Sequence, residues 1–178
     1  PGFASAAEQP WAEFRDQIKA IVIEGSVKSV GTNSFLDCVN AETITIGEGI
    51  EEIAIFAFEN CAAVKTIHIP GSVTNISVGA FKRCYSLESF TVDVANTAYT
   101  VQSGVLFNKD MTQLLRYPPA RKTTMYFIPE SVKVLMDAAF EDAALLQDVT
   151  PNDGLEAING WCFVGCTGLT KVQIRQNV

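Results

Sequence analysis

Residues 50–72, IEEIAIFAFENCAAVKTIHIPGS, have a legible copy on either side: VKSVGTNSFLDCVNAETITIGEG over 27–49, and VTNISVGAFKRCYSLESFTVD from Val73 onward. Val27, Ile50 and Val73 stand 23 residues apart, and the same interval relates Val132 to Leu155 and Phe140 to Phe163. Each copy reads V/I-x-x-I/V, then Phe at the ninth position, Cys three residues later, and an apolar-x-x-apolar-x-apolar run that ends near Pro or Gly. A unit of this length is too short to enclose its own core, so it must bury its apolar face on its neighbours. The pattern therefore predicts an elongated, β-rich repeat solenoid.

The segments AETITI, VKTIHI and LESFTV alternate apolar positions, which should face in, with polar positions that face out. Ile44, Ile46, Ile67, Ile69, Phe90 and Val92 are expected to line the inner wall of one parallel sheet, one strand per unit. A tight turn (GEG, PGS) leads to a second short apolar segment such as 73–76. Phe35, Phe58 and Phe81 follow on a short helical or 3₁₀ turn, where their rings should stack as a column.

Residues 1–26 read as an N-terminal cap and a degenerate first repeat, with IKAIVI as its strand and Trp11 and Phe14 placed to cover the first coil. Three 23-residue repeats occupy 27–95, one enlarged repeat 96–131, and two further repeats 132–178. In the enlarged repeat GVLF and QLLRYP flank NKDMT, which has hairpin-loop composition, and an outward hairpin is expected. MYFIPESV then rejoins the frame with Tyr126 and Ile128 inward. The repeat at 132–154 has Ala143 at the Cys position and Pro151 at the last inward strand position, so its strand should end early. No polar cap follows Ile174; the apolar end-face implies either that the natural protein continues or that a partner covers it.

Composition narrows the function classes. Hydrophobic residues at 48% exclude a disordered tail, and a net charge of −7 with no basic run argues against a nucleic-acid partner. No apolar stretch is long enough to span a membrane. The chain opens at Pro1 rather than Met, which fits either a removed leader or a chosen boundary. Five cysteines is an odd number for a disulfide framework, and Cys38, Cys61, Cys84 and Cys166 each fall three residues after a Phe, a structural register of reduced core thiols. Cys162 and Cys166 form C-x₃-C, which without a second pair is a poor zinc signal. His68, the only histidine, lies at an outward strand position and cannot by itself build a metal site or a catalytic triad. Glu48, Glu51, Glu52 and Glu59 lack the alternation of oxygen ligands that a calcium loop needs and read as a solvated face. No catalytic residue, metal ligand or cofactor is expected.

The constellation SV-x-x-I-x-x-x-A-F-x-x-C-x-x-L-x-x-I-x-I-P, legible at 73–92 and 50–70, resembles the BspA-type leucine-rich repeats. The lead-in QPWAEFRDQIKAIVIEGSVKSVG and the GVLF…LLRYP…IP insertion are similar to corresponding segments of that family, so the resemblance covers about residues 9–178. It implies a right-handed curved solenoid with one parallel sheet on the concave face and short strands and 3₁₀ turns on the convex side. It further implies a secreted or surface-anchored protein, often of a host-associated bacterium, with a role in adhesion and binding of host or neighbouring-cell proteins. No common catalytic residues can be carried over.

The outward strand positions then form the candidate binding face: Thr43, Thr45, Thr66, His68, Ser89, Thr91, Asp93, Thr150, Lys171 and Gln173, with Ala20, Val22, Glu24, Asp148 and Arg175 in the same rows. Rows of short polar side chains suit broad contact with a protein or glycan better than enclosure of a metabolite; β-branched Thr could equally sit there for strand propensity alone. The first expectation is a non-catalytic interaction module of the bacterial surface or exterior. Alternatives are a carbohydrate-binding or substrate-targeting domain of a larger secreted protein, and a structural spacer. Tyr99, Tyr117 and Tyr126 are the cluster that could offer exposed rings to a glycan.

Overall fold

The computed structural model describes residues 2–173, which form a solenoid of stacked coils without an α-helix. Its first half carries β1 (Ala20–Ile23), β2 (Ser29–Val30), β3 (Thr43–Ile46), β4 (Glu52–Ile53), β5 (Thr66–Ile69), β6 (Asn75–Ile76) and β7 (Ser89–Val92). The four-residue strands build one face: β1 pairs in parallel with β3, β5 pairs with β7, and β3 packs beside β5. Register places Ile21 opposite Ile44 and Ile67 opposite Phe90, so like positions of successive units meet. In β1, β3 and β5 residues alternate exposed and buried, as their apolar-polar alternation requires. The two-residue strands β2, β4 and β6 form a second, narrower parallel sheet.

Between the two sheets runs the aromatic column. Phe35, Phe58 and Phe81 stack at centroid spacings of 5.5 and 5.8 Å with planes within 6°. The ring-bearing turn recurs because left-handed residues flank the ring two positions either side: Phe56 and Asn60 around Phe58, Ala138 and Asp142 around Phe140. Backbone donors on the turn reach the next coil, Phe35 N–H to Ala57 O at 2.8 Å and Phe58 N–H to Ala80 O at 2.9 Å. Trp11 closes the column by stacking on Phe35 at 5.1 Å. Phe14 does not share that task; it lies in a 3₁₀ turn, Ala12–Gln17, and is 57% exposed. Buried Gln9 shares it instead, donating from Nε2 to Asn33 O and Leu36 O and so satisfying carbonyls of the first full coil.

The enlarged repeat departs from the outward hairpin expected of it. β8 (Tyr99–Gln102), β9 (Val105–Asn108) and β10 (Gln113–Arg116) make an antiparallel meander lying across the stack. β9 is buried on both faces: Leu106 packs into the core of the first half, Val105 and Phe107 into that of the second. Three consecutive apolar residues cannot be left on a flap, so exposure in the meander is confined to its two turns, at Gln102–Ser103 and Lys109–Asp110. Tyr99 and Tyr117 are buried here too, which removes the aromatic cluster proposed for a glycan; Tyr117 takes the Phe position and stacks on Phe140 at 5.1 Å. The Tyr99 hydroxyl accepts the Ile76 N–H at 2.7 Å, satisfying a donor on β6 where the regular array is interrupted.

Beyond the meander come β11 (Met125–Phe127), β12 (Val134–Leu135), β13 (Asp148–Thr150), β14 (Ala157–Ile158) and β15 (Lys171–Val172). β11, β13 and β15 resume the wider strand face, and β10, β12 and β14 the narrower sheet, all in parallel. β13 stops at Thr150 because Pro151 follows and has no N–H for the ladder. The expectations for Ile174 and Arg175 lie outside the described residues.

Candidate functional site

The strand face of the first half is a fixed array of short polar side chains. Thr43 lies beside Ala20, Thr45 beside Val22, Thr66 beside Ser89 and His68 beside Thr91. Two of these pairs bond across strands: Thr66 Oγ1 and Ser89 Oγ are 3.3 Å apart, and His68 Nδ1 lies 3.0 Å from Thr91 Oγ1. Such bonds hold exposed rotamers in place before any partner arrives, which lowers the ordering cost of binding. Asp93 stands just past β7, where its carboxylate accepts the Ala95 N–H at 2.7 Å and shapes the turn.

Thr150 and Lys171 sit on the second ladder, Lys171 opposite Asp148 and Thr150 opposite Phe127, with exposed Gln173 just beyond β15. The turn between β8 and β9 comes up against Ser89: Phe90 N–H donates to Gly104 O at 2.9 Å, and Arg121 bonds Ser103 O. The structure thus brings Thr43, Thr45, Thr66, His68, Ser89 and Thr91 together and carries Thr150 and Lys171 on a separate ladder.

Met125 and Phe127, exposed on β11 and the latter by 67%, belong to this face although no reading across the repeats had included them. The signal was present in MYFIP, because placing Tyr126 and Ile128 inward forces their neighbours outward. Phe127 borders a cavity of about 160 Å³ whose wall includes Glu130, Thr150 and Asn152.

The remaining candidates take structural roles. All five cysteines are free thiols. The Sγ atoms of Cys61, Cys84 and Cys166 donate to the Phe35, Phe58 and Phe140 carbonyls at 3.5, 3.4 and 3.0 Å, so a small weak donor is what the position uses. Burial pushes the Cys84 and Cys162 thiols up to about 12 and Cys38 to about 11, away from thiolate chemistry. Glu51 pairs with Lys28 at 2.8 Å on the surface, whereas Glu59, expected on the same solvated face, is largely buried in the ring-bearing turn, pairs with Arg83 at 3.7 Å, and has its carboxyl pushed up by burial. Among the described residues no group of three His, Cys, Asp or Glu side chains is placed to hold a metal, and no helix is long and apolar enough to cross a membrane.

Stacked 23-residue coils, a buried aromatic column and paired parallel ladders coincide with a family model, the BspA type leucine rich repeat region, which matches residues 13–118 and 119–178 in six copies. The chain belongs to the BspA-type leucine-rich repeat family. Among solved structures, the pneumococcal vaccine antigen PcpA is similar at 27% identity and a TM-score of 0.85, over 89% of this chain and 40% of that one. A leucine-rich cell surface protein of Faecalibacterium prausnitzii is 25% identical with a TM-score of 0.75, over 93% of this chain and 50% of that one. A leucine-rich repeat protein of Eubacterium ventriosum shares the fold at 22% identity and a TM-score of 0.64, covering 95% and 63% of the two chains. The BspA-type chain therefore spans between 40 and 63% of the length of these relatives. No curated protein matches it significantly in sequence. Leucine-rich repeat domains of this kind generally bind proteins.

Proposed function

We propose that this chain is a non-catalytic, protein-binding repeat domain of a secreted or surface-displayed bacterial protein, working in adhesion through its wider strand face. The observation that carries the reading is the cross-strand bonding of exposed short side chains, His68 to Thr91 and Thr66 to Ser89, on a rigid parallel ladder. Location at the bacterial exterior is supported by the family and by the relative described as a cell surface protein. The test is binding of labelled chain to host epithelial cells and to immobilised matrix proteins, with Thr45, His68 and Thr91 replaced together by Lys. Binding should fall at least tenfold, about 1.4 kcal/mol, while the melting temperature stays within a few degrees, since all three side chains are exposed. Equal binding by the variant rejects the face.

A second reading is favoured by Phe127, an exposed ring beside a polar-walled cavity, the arrangement on which a sugar face stacks. Under that reading a glycan array gives signals that Phe127→Ala abolishes and the triple Lys variant leaves intact.

A further inference from the structure

We propose that the junction between the third regular coil and the enlarged repeat holds a carboxylate-binding site built on Arg116. In the other copies the residue before the stacked ring is small, Ser34, Ala57, Ala80, Ala139 or Cys162, because the coils approach closely there. At the junction the meander separates the coils, and a cavity of about 60 Å³ opens between the 77–80 backbone, Leu106, Met136 and Arg116.

Arg116 is only 6% exposed. Its Nη1 donates to Ala138 O and stands 3.6 Å from Glu141 Oε2. Nε and Nη2 find no acceptor among the described protein groups. These two N–H groups lie on one edge of the guanidinium and point the same way, which is the fork a carboxylate fits with two parallel bonds. A buried charged donor left unpaired is costly, so the fork calls for an acceptor.

The surroundings select the acceptor. Lys82 Nζ lies 3.3 Å from Glu141 Oε1, so Lys82 and Arg116 share that carboxylate, which reaches only the Nη1 side of Arg116 and leaves the Nε–Nη2 edge without an acceptor. Glu141 itself and Asp137, on the cavity wall, repel a second negative charge, which favours a singly charged carboxylate over a phosphate dianion. The volume exceeds the roughly 10–15 Å³ that one water needs and suits a single oxyanion head, not a nucleotide. The carboxylate comes either from a small free acid or from an Asp or Glu side chain of a docking protein. The site is separate from the strand face, so it stands or falls independently of the adhesive reading.

The test follows the Arg116 Nε–H resonance in ¹⁵N NMR while sodium acetate, inorganic phosphate or a short acetylated Glu peptide replaces chloride at constant ionic strength. Acetate should shift the resonance saturably in the millimolar range, as a ligand of four heavy atoms allows, with phosphate at least tenfold weaker. Tighter binding of the peptide than of acetate identifies a protein side chain as the source; equal or weaker binding identifies a small acid. Arg116→Met should abolish the acetate-dependent rise in melting temperature; if loss of the Arg116 contact to buried Glu141 prevents folding, the double variant Arg116→Met/Glu141→Gln takes its place. A resonance unmoved by acetate, or moved more by phosphate, overturns the assignment.

Discussion

Replacing Phe58 by Ala tests the column that holds the coils together. The ring is fully buried and lies between Phe35 at 5.5 Å and Phe81 at 5.8 Å, nearly parallel to both. Removing a buried Phe in a core that collapses only partly costs about 3–5 kcal/mol. The two ring pairs lost with it fall within that figure, at about 0.5–1.5 kcal/mol each beyond area burial. Phe58→Leu separates the two contributions, because it keeps most of the volume and loses the pairs, and should cost about 1–2 kcal/mol. Phe14→Ala, at an exposed ring, should stay within about 0.5 kcal/mol of the parent. Equilibrium urea unfolding followed by circular dichroism measures all three. Trp11 at the start of the column and Trp161 in the last full coil let fluorescence report whether both ends lose structure together. A loss below about 1.5 kcal/mol for Phe58→Ala, or equal losses for Ala and Leu, would refute the view that stacked rings bind coil to coil.

Two other expectations follow from particular side chains. Burial raises the folded-state thiol pKa of Cys84 to about 12 and of Cys38 to about 11, above the ordinary value of 9.0. The stability these protonated thiols confer is complete below about pH 9 and drains away as pH climbs toward 11–12. Urea midpoints should therefore fall between pH 9 and 11, and Cys84→Ala should show a shallower fall from a lower starting stability; native thiols should also resist alkylation at pH 8 until the chain is unfolded. Gly165 has φ +74°, and an added Cβ would collide with the Asp142 carboxylate and lie 3.1 Å from its Cα, whereas Gly25 at φ +82° has open space. Thermal melts should show Gly165→Ala losing clearly more than the roughly 1 kcal/mol expected of Gly25→Ala from backbone conformation alone.

The regular coils were legible because each unit solves one packing problem with the same residues. Ile44 and Ile67, Phe35 and Phe58, Cys61 and Cys84 recur at one interval, and the backbone advances one coil per copy, so sequence register becomes spatial register. Reading the alternation also gave the outward row that includes His68 and Thr91. It failed where residues answer to two neighbours at once. Val105, Leu106 and Phe107 carry no period, because β9 separates two cores and each face meets a different one. A run buried on both sides looks the same in sequence as the apolar half of a surface hairpin.

Arg116 was illegible for the same reason. In sequence it occupies a slot that the frame reserves for a small residue, between Leu115 and the ring of Tyr117, and a charged residue there reads as local irregularity. Only the meander, by holding the coils apart, gives the guanidinium room to enter, and Glu141 from the following coil gives it a charge to face. Both the separation and the partner are tertiary facts, set by where Leu106 and Phe107 bury themselves. The interruption of the repeat is thus where a buried charge can be housed, since the ring-bearing turns of the regular coils pack too closely to admit a guanidinium.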